Sequence, residues 1–172
     1  MIPVFLMLIS AASFFLPHGG SQQAARTDKP TWALKFADYA EERGFIGKPA
    51  APLLASKRQR TFRSVIRQAV AKGPNFSGHF TVATWGCGAG CASFVIVDAI
   101  SGKTFDPPFK TVAMPFVEGG RPYQGLLYHL NSRLLIVDGC PDEDDEKCGT
   151  YYYEWKDGQL KLLPFDPQPI PK

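Results

Sequence analysis

Four cysteines are the residues of this chain best placed to do chemistry. Cys87 and Cys91 bracket Gly88, Ala89 and Gly90, directly after Trp85 and Gly86, while Cys140 and Cys148 bracket Pro141 to Lys147. An even cysteine count in a small exported domain predicts disulfides. Of the three connectivities that four cysteines allow, local pairing of Cys87 with Cys91 and of Cys140 with Cys148 fits best, because each pair closes a loop between strand-like runs. Glycines at 86, 88 and 90 supply the backbone freedom a tight ring needs. Such rings restrain the unfolded chain by roughly 2–3 kcal/mol each, so they are expected to shape loops more than to hold the fold. Two other chemistries compete. Zinc needs thiolates at knuckle spacing, which the first pair meets and the second, with seven residues between its members, does not. A nucleophilic cysteine would need a base, for which His79 and His129 are the candidates, but no third member of a catalytic team is recognisable. Structural disulfides are therefore expected, with no metal and no cofactor. The glycine-rich ring could gather backbone amides around an anion, yet no phosphate-loop lysine accompanies it.

Charge is distributed unevenly. Lys57, Arg58, Arg60, Arg63, Arg67 and Lys72 form a basic stripe without an intervening acid, and Asp142 to Glu146 is an uninterrupted acidic run. Both are expected to be solvated surfaces that can face one another. Read functionally, the stripe would meet an anionic partner and the acidic loop a basic protein. The acidic run lacks the alternating oxygen ligands, central glycine and distal glutamate of a calcium loop. His79, at the mouth of a strand, is expected to make a structural hydrogen bond, and His129 sits within a strand pattern. Alternation puts Tyr151, Tyr153 and Trp155 on one face of a strand and Tyr152 with Glu154 on the other. One set must be core, which leaves the other as a candidate contact patch.

The elements that must position these residues follow from periodicity. Phe62, Val65, Ile66, Ala69 and Val70 make one apolar stripe, predicting a helix over about 57–72 that Gly73 and Pro74 end. A shorter helix is predicted over 32–43. Strands are predicted at Phe80–Trp85 and Phe94–Val97, at Gly125–Leu130 and Arg133–Val137 joined through Asn131-Ser132, and at Tyr151–Trp155 and Gln159–Leu163 joined through Asp157-Gly158. The expected fold class is α+β: an antiparallel sheet of five or six strands with the amphipathic helix packed on one face and two local disulfides. With 45% hydrophobic and 20% charged residues among 172, the composition is that of a globular domain. A net charge of +3 is too small to imply nucleic acid.

Residues 1–25 read as a secretory leader: no charge lies between Ile2 and Ala25, and the apolar run ends at Pro17, short of a membrane span. The customary Lys or Arg before that run is missing, so an uncleaved anchor is the alternative. No cysteine marks a lipid-attachment site. The expected organisation is a leader at 1–25, an N-terminal helix and connector at 26–56, one α+β domain at 57–165 and a loose tail at 166–172.

The blocks Gly73 to His79, Trp85 to Cys91, Arg133 to Val137 and Cys148 to Trp155 resemble a family of uncharacterised exported bacterial proteins, over about 61–163. That resemblance implies export and assigns no activity. In layout the chain is also similar to Ivy-type periplasmic lysozyme inhibitors, which place a short cysteine-closed loop between two strands. Here the ring holds three residues and no histidine. The expected function is a periplasmic or secreted, non-catalytic binding module, conceivably an inhibitor, with His79, Trp85, Gly88, Ala89 and Gly90 as its contact residues. The expected partner is a protein or an anionic envelope component. Nucleic acid is not expected, and a membrane only if the leader is retained. A cell-envelope hydrolase using a cysteine and His79, or a purely structural envelope protein, are the alternatives.

Overall fold

Ser56 starts the helical layer. Its hydroxyl accepts from the Gln59 N–H at 3.1 Å while its own N–H donates to the Gln59 side chain at 3.2 Å, a reciprocal capping box. The computed structural model describes residues 36–41, 44–116, 120 and 122–164, so the expected leader and the tail at 166–172 lie outside it. The helix expected over 57–72 is two helices, α1 (Lys57–Thr61) and α2 (Arg63–Ala71), broken at Phe62. At that break Phe62 stacks on Trp85, ring centroids 4.5 Å apart. Aromatic contact with the sheet thus wins over an unbroken helical ladder. Ile66 and Val70 are buried in one cluster with Ala83, Trp85, Val95 and Val97.

Antiparallel pairing runs through β1 (Phe80–Gly88), β2 (Cys91–Asp98), β4 (Val112–Ala113), β6 (Leu134–Pro141), β7 (Gly149–Lys156) and β8 (Gln159–Leu162), with β3 (Thr104–Phe105) added to β2 and β5 (Gly125–Tyr128) to β6. Six strands make a continuous path and two more pair off it, against the five or six expected. β4 is the element that joins the two halves of the sheet. Ala92 and Cys91 pair with Val112 and Ala113, which pair in turn with Pro141 and Cys140.

The curl has an inside and two covered outsides. Val82, Phe94, Ile96, Leu135, Val137, Tyr153 and Trp155 meet inside it, together with Phe76, Phe109 and Val112. Leu134, Ile136 and Tyr152 point the other way and are buried beneath Phe36. Strands covered on both faces need apolar residues at every position, which is why Phe94–Val97 and Leu134–Val137 read as unbroken hydrophobic runs. The same fact removes a candidate contact patch: Tyr152, on the face opposite Tyr153 and Trp155, is buried too.

The helix expected over 32–43 is not present where the chain is described. Residues 36–39 form one 3-10 turn and Ala40 bridges Ser132, while 32–35 and 42–43 lie outside the described residues. The Ser132 hydroxyl donates to the Phe36 and Tyr39 carbonyls at 2.9 and 3.2 Å, and the Arg133 N–H to Tyr39 at 2.8 Å. Those carbonyls are taken by the sheet rather than by a following helical turn.

Candidate functional site

Both cysteine pairs close as disulfides, Cys87–Cys91 and Cys140–Cys148, and no described cysteine is free. The pairing through β4 then does what neither loop could do alone. Cys91, Ala113 and Cys140 lie in one row across β2, β4 and β6, so the two crosslinked turns share one end of the sheet. Two adjacent strand spacings separate them, about 10 Å.

The first turn is almost pure backbone. Gly88, Ala89 and Gly90 are exposed, and a bulge between Gly86 and Gly88 swings the chain into the ring. Gly90 adopts φ +60 and its carbonyl accepts from the Met114 N–H at 2.6 Å. A side chain there would meet the Met114 carbonyl oxygen at 2.9 Å, so glycine is required both by conformation and by close approach.

The second turn is built from charge. Asp142 and Glu143 take left-handed conformations, φ +56 and +60, which the short aspartate side chain tolerates better than the longer glutamate. The Asp142 carboxylate accepts from the Lys110 N–H at 2.7 Å. Asp144 caps a short 3-10 turn at Asp145–Lys147 by accepting from the Glu146 N–H, and holds the Lys147 ammonium at 2.6 Å. The hydrogen bond from Lys147 lowers the pKa of the Asp144 carboxyl, and the same contact raises that of Lys147. Glu143, Asp145 and Glu146 are exposed and have no cation at ion-pair distance among the described residues. One Glu143 carboxylate oxygen lies 3.7 Å from Cys91 Sγ, the direct contact between the two turns.

Arg58 ties the basic helix to this end. Its guanidinium lies 4.9 Å from the Trp85 ring centroid, donates to the Lys110 carbonyl at 2.6 Å and stands 3.6 Å from Asp106. Desolvation lowers its pKa, opposed by Asp106 and Asp142. The basic stripe and the acidic loop are therefore joined through one arginine, with Arg63, Arg67 and Lys72 left exposed.

Of the expected contact residues, Gly88, Ala89 and Gly90 lie exposed together at this end, Trp85 lies beside them but is covered, and His79 lies elsewhere. Trp85 is only 8% exposed, covered by Phe62 and Arg58. His79 stands before the opposite end of β1, roughly 26 Å along the strand from Cys87 at 3.3 Å per residue. There its Nε2 faces Asp98 at 3.8 Å, while Asp98 also accepts from the Ile100 N–H and the Ser101 hydroxyl. His129 lies just past β5 with its ring 4.2 Å from that of Phe36. No described histidine therefore meets a thiolate. Glu143 stands near Cys87 and Cys91, and Asp145 near Cys140 and Cys148, at distances that would suit a metal. Sulfurs bonded to one another are not thiolates, so the donor sets do not fit one.

Sequence reasoning missed Arg58, Lys110 and Ala113 as parts of this end. A two-residue strand carries no alternation to read, and no signal marked it. No family model, curated protein or solved structure matches the chain.

Proposed function

We propose that this chain is an exported, non-catalytic binding module whose contact surface is the end of the sheet carrying both disulfides. The carrying observation is the row Cys91–Ala113–Cys140, which sets a rigid backbone ring beside an exposed acidic turn. Crosslinking pre-orders both turns, so little conformational entropy is lost when a partner docks. Gly88, Ala89 and Gly90 supply shape and backbone hydrogen-bonding groups. Glu143, Asp145 and Glu146 supply charge, which selects a basic protein and speeds its approach.

Export supports this reading because paired disulfides belong to oxidising compartments. The leader-like start and the resemblance to exported bacterial proteins agree with it, and among the described residues no helix is long and apolar enough to cross a membrane. On this reading α2 is the amphipathic cover of the sheet, and its exposed arginines lie outside the contact surface.

Affinity capture from envelope extract tests the proposal, using the native oxidised protein and two variants. One carries Glu143→Lys, Asp145→Lys and Glu146→Lys together, the other Ala89→Asp. A basic protein retained by the native chain, released by added salt and lost with either variant supports the assignment. Identical capture profiles for all three proteins sink it. A lysozyme-inhibition assay with the same set asks whether the partner is a lysozyme.

A further inference from the structure

β1 is an edge strand: it pairs with β2 alone among the described residues. Its first half is closed. Phe76 and Phe80 exchange backbone hydrogen bonds at 2.9 and 3.0 Å. Beyond them the Asn75 side chain imitates a neighbouring strand, accepting from the Val82 N–H at 2.7 Å and donating to the Val82 carbonyl at 3.2 Å. Since Val82 presents both backbone groups away from β2, alternation makes Thr84 and Gly86 present theirs the same way. These two are exposed, and no described residue pairs with their outward N–H and C=O groups. No proline, charged residue or covering loop guards Thr84 to Gly86 among the described residues, and the bulge after Gly86 is the protection that ends this open stretch.

Beside this open stretch lies a groove of about 370 Å³. It is lined by Val65, Ala69 and Lys72 of the helical segment, by Asn75 and Val82 of the closed half of the edge, and by Thr84 and Tyr128. Burial raises the pKa of the Tyr128 phenol. Gly86 has no side chain to hinder an approaching backbone.

We infer that the Thr84–Gly86 edge accepts an extended acidic polypeptide, which pairs antiparallel or parallel with β1 and lays alternate side chains into this groove. Charge decides the occupant. Lys72 is the charged residue that lines the groove, and neither α1 nor α2 carries an acid, while Arg63 and Arg67 lie about half a turn of helix away from the lining positions 65, 69 and 72. A second copy pairing edge to edge about a two-fold axis would bring two such basic helices onto one face of the joined sheet, where like charges repel. A strand bearing carboxylates on its outer positions meets the opposite field. This is a second surface, distinct from the one assigned to the disulfide-bearing end.

The test uses the oxidised full chain and a short capped peptide alternating valine with glutamate, with its lysine counterpart as control. Amide shifts and hydrogen exchange are followed at Thr84 and Gly86. The expected result is slowed exchange at both amides on adding the glutamate peptide, and binding about tenfold weaker when one ladder N–H of the peptide is methylated, roughly one charge-assisted or neutral hydrogen bond. Lys72→Glu should shift the preference toward the lysine peptide, with the disulfide-end capture of the preceding section unchanged. Unchanged exchange at saturating peptide, or equal binding of the methylated peptide, overturns the inference. So does protection of both amides before peptide is added, whether it disappears on dilution, showing a second copy, or persists, showing the chain's own residues on the edge.

Discussion

Cys87–Cys91 closes a ring on exposed backbone, whereas Cys140–Cys148 closes a loop whose first cysteine is fully buried. At the entry to the first ring the neighbours are sparse, although Gly90 within it is close to Met114: a Cβ added at Gly86 would find its nearest atom, the Cys91 carbonyl oxygen, at 3.9 Å. Around the second they are dense. A Cβ at Gly139, opposite Gly149 in the β6–β7 ladder, would press into the Ala113 carbonyl oxygen and stand 2.9 Å from Val112 Cγ1. The same crosslink chemistry therefore serves two purposes. One shapes a surface turn, and the other sits where β4 joins the two halves of the curled sheet.

Glycine substitutions break this comparison most sharply. Gly139→Ala is expected to destabilise the fold by about 3 kcal/mol, the upper range for overpacking against backbone. Gly86→Ala is expected to stay within about 0.5 kcal/mol, the range of surface changes. Denaturant unfolding of both variants checks the pair, and equal losses would erase the distinction between the two turns.

Removing each disulfide should give a smaller contrast of the same sign. Loop closure alone predicts a loss of roughly 2.5 kcal/mol for Cys140→Ala with Cys148→Ala, against roughly 2 kcal/mol for Cys87→Ala with Cys91→Ala. Burial of Cys140 adds a cavity term to the first. Limited reduction followed by alkylation and mass mapping should open the exposed ring first. Opening of Cys140–Cys148 first would contradict the burial difference.

Arg58→Lys sharpens the link between the halves. Lysine keeps the charge but loses the planar stack on Trp85 and the fork that reaches the Lys110 carbonyl. A loss of about 1 kcal/mol is expected by thermal unfolding, with Lys110 and Asp142 amide signals shifting more than those of Gly88 to Gly90. The last effect appears only at alkaline pH. Desolvation, then Tyr151 and Asp142, push the Tyr153 phenol up to about 12. A folded-state value above the ordinary value of about 10 means that its contribution is fully present below pH 10 and is lost as pH rises toward 12. Tyr153→Phe should flatten that part of the stability–pH curve, and an unchanged curve would contradict the desolvation of its phenol.

Local signals carried much of the fold into view. Cysteine spacing, with glycines inside one pair, pointed to the two local disulfides. Asp157-Gly158 marked the turn between β7 and β8, and Asn131-Ser132 the connection between β5 and β6. The helix break at Phe62 was hidden because its apolar position suits an unbroken stripe equally well. Residues 36–39 were hidden for a related reason: Phe36 and Tyr39 fit helical spacing, yet their carbonyls find stronger use against Ser132 and Arg133, about ninety residues away. The grouping of contact residues was legible for Gly88, Ala89 and Gly90, which are neighbours in sequence. It failed for His79, which is also near in sequence, because an extended strand carries its ends far apart.

By itself the sequence favoured local pairing of the sulfurs and determined the apolar runs of doubly covered strands and the signs of the charged segments, since each is written in neighbouring residues. Only the tertiary structure decided which of these meet. Two residues of β4 bring distant turns to one end, Phe36 covers the face formed by Leu134, Ile136 and Tyr152, and Asn75 closes half of an edge while leaving Thr84 and Gly86 open. Each of these contacts engages a backbone group or an apolar face that many residues could present equally well, so no residue pattern announces where it will pair.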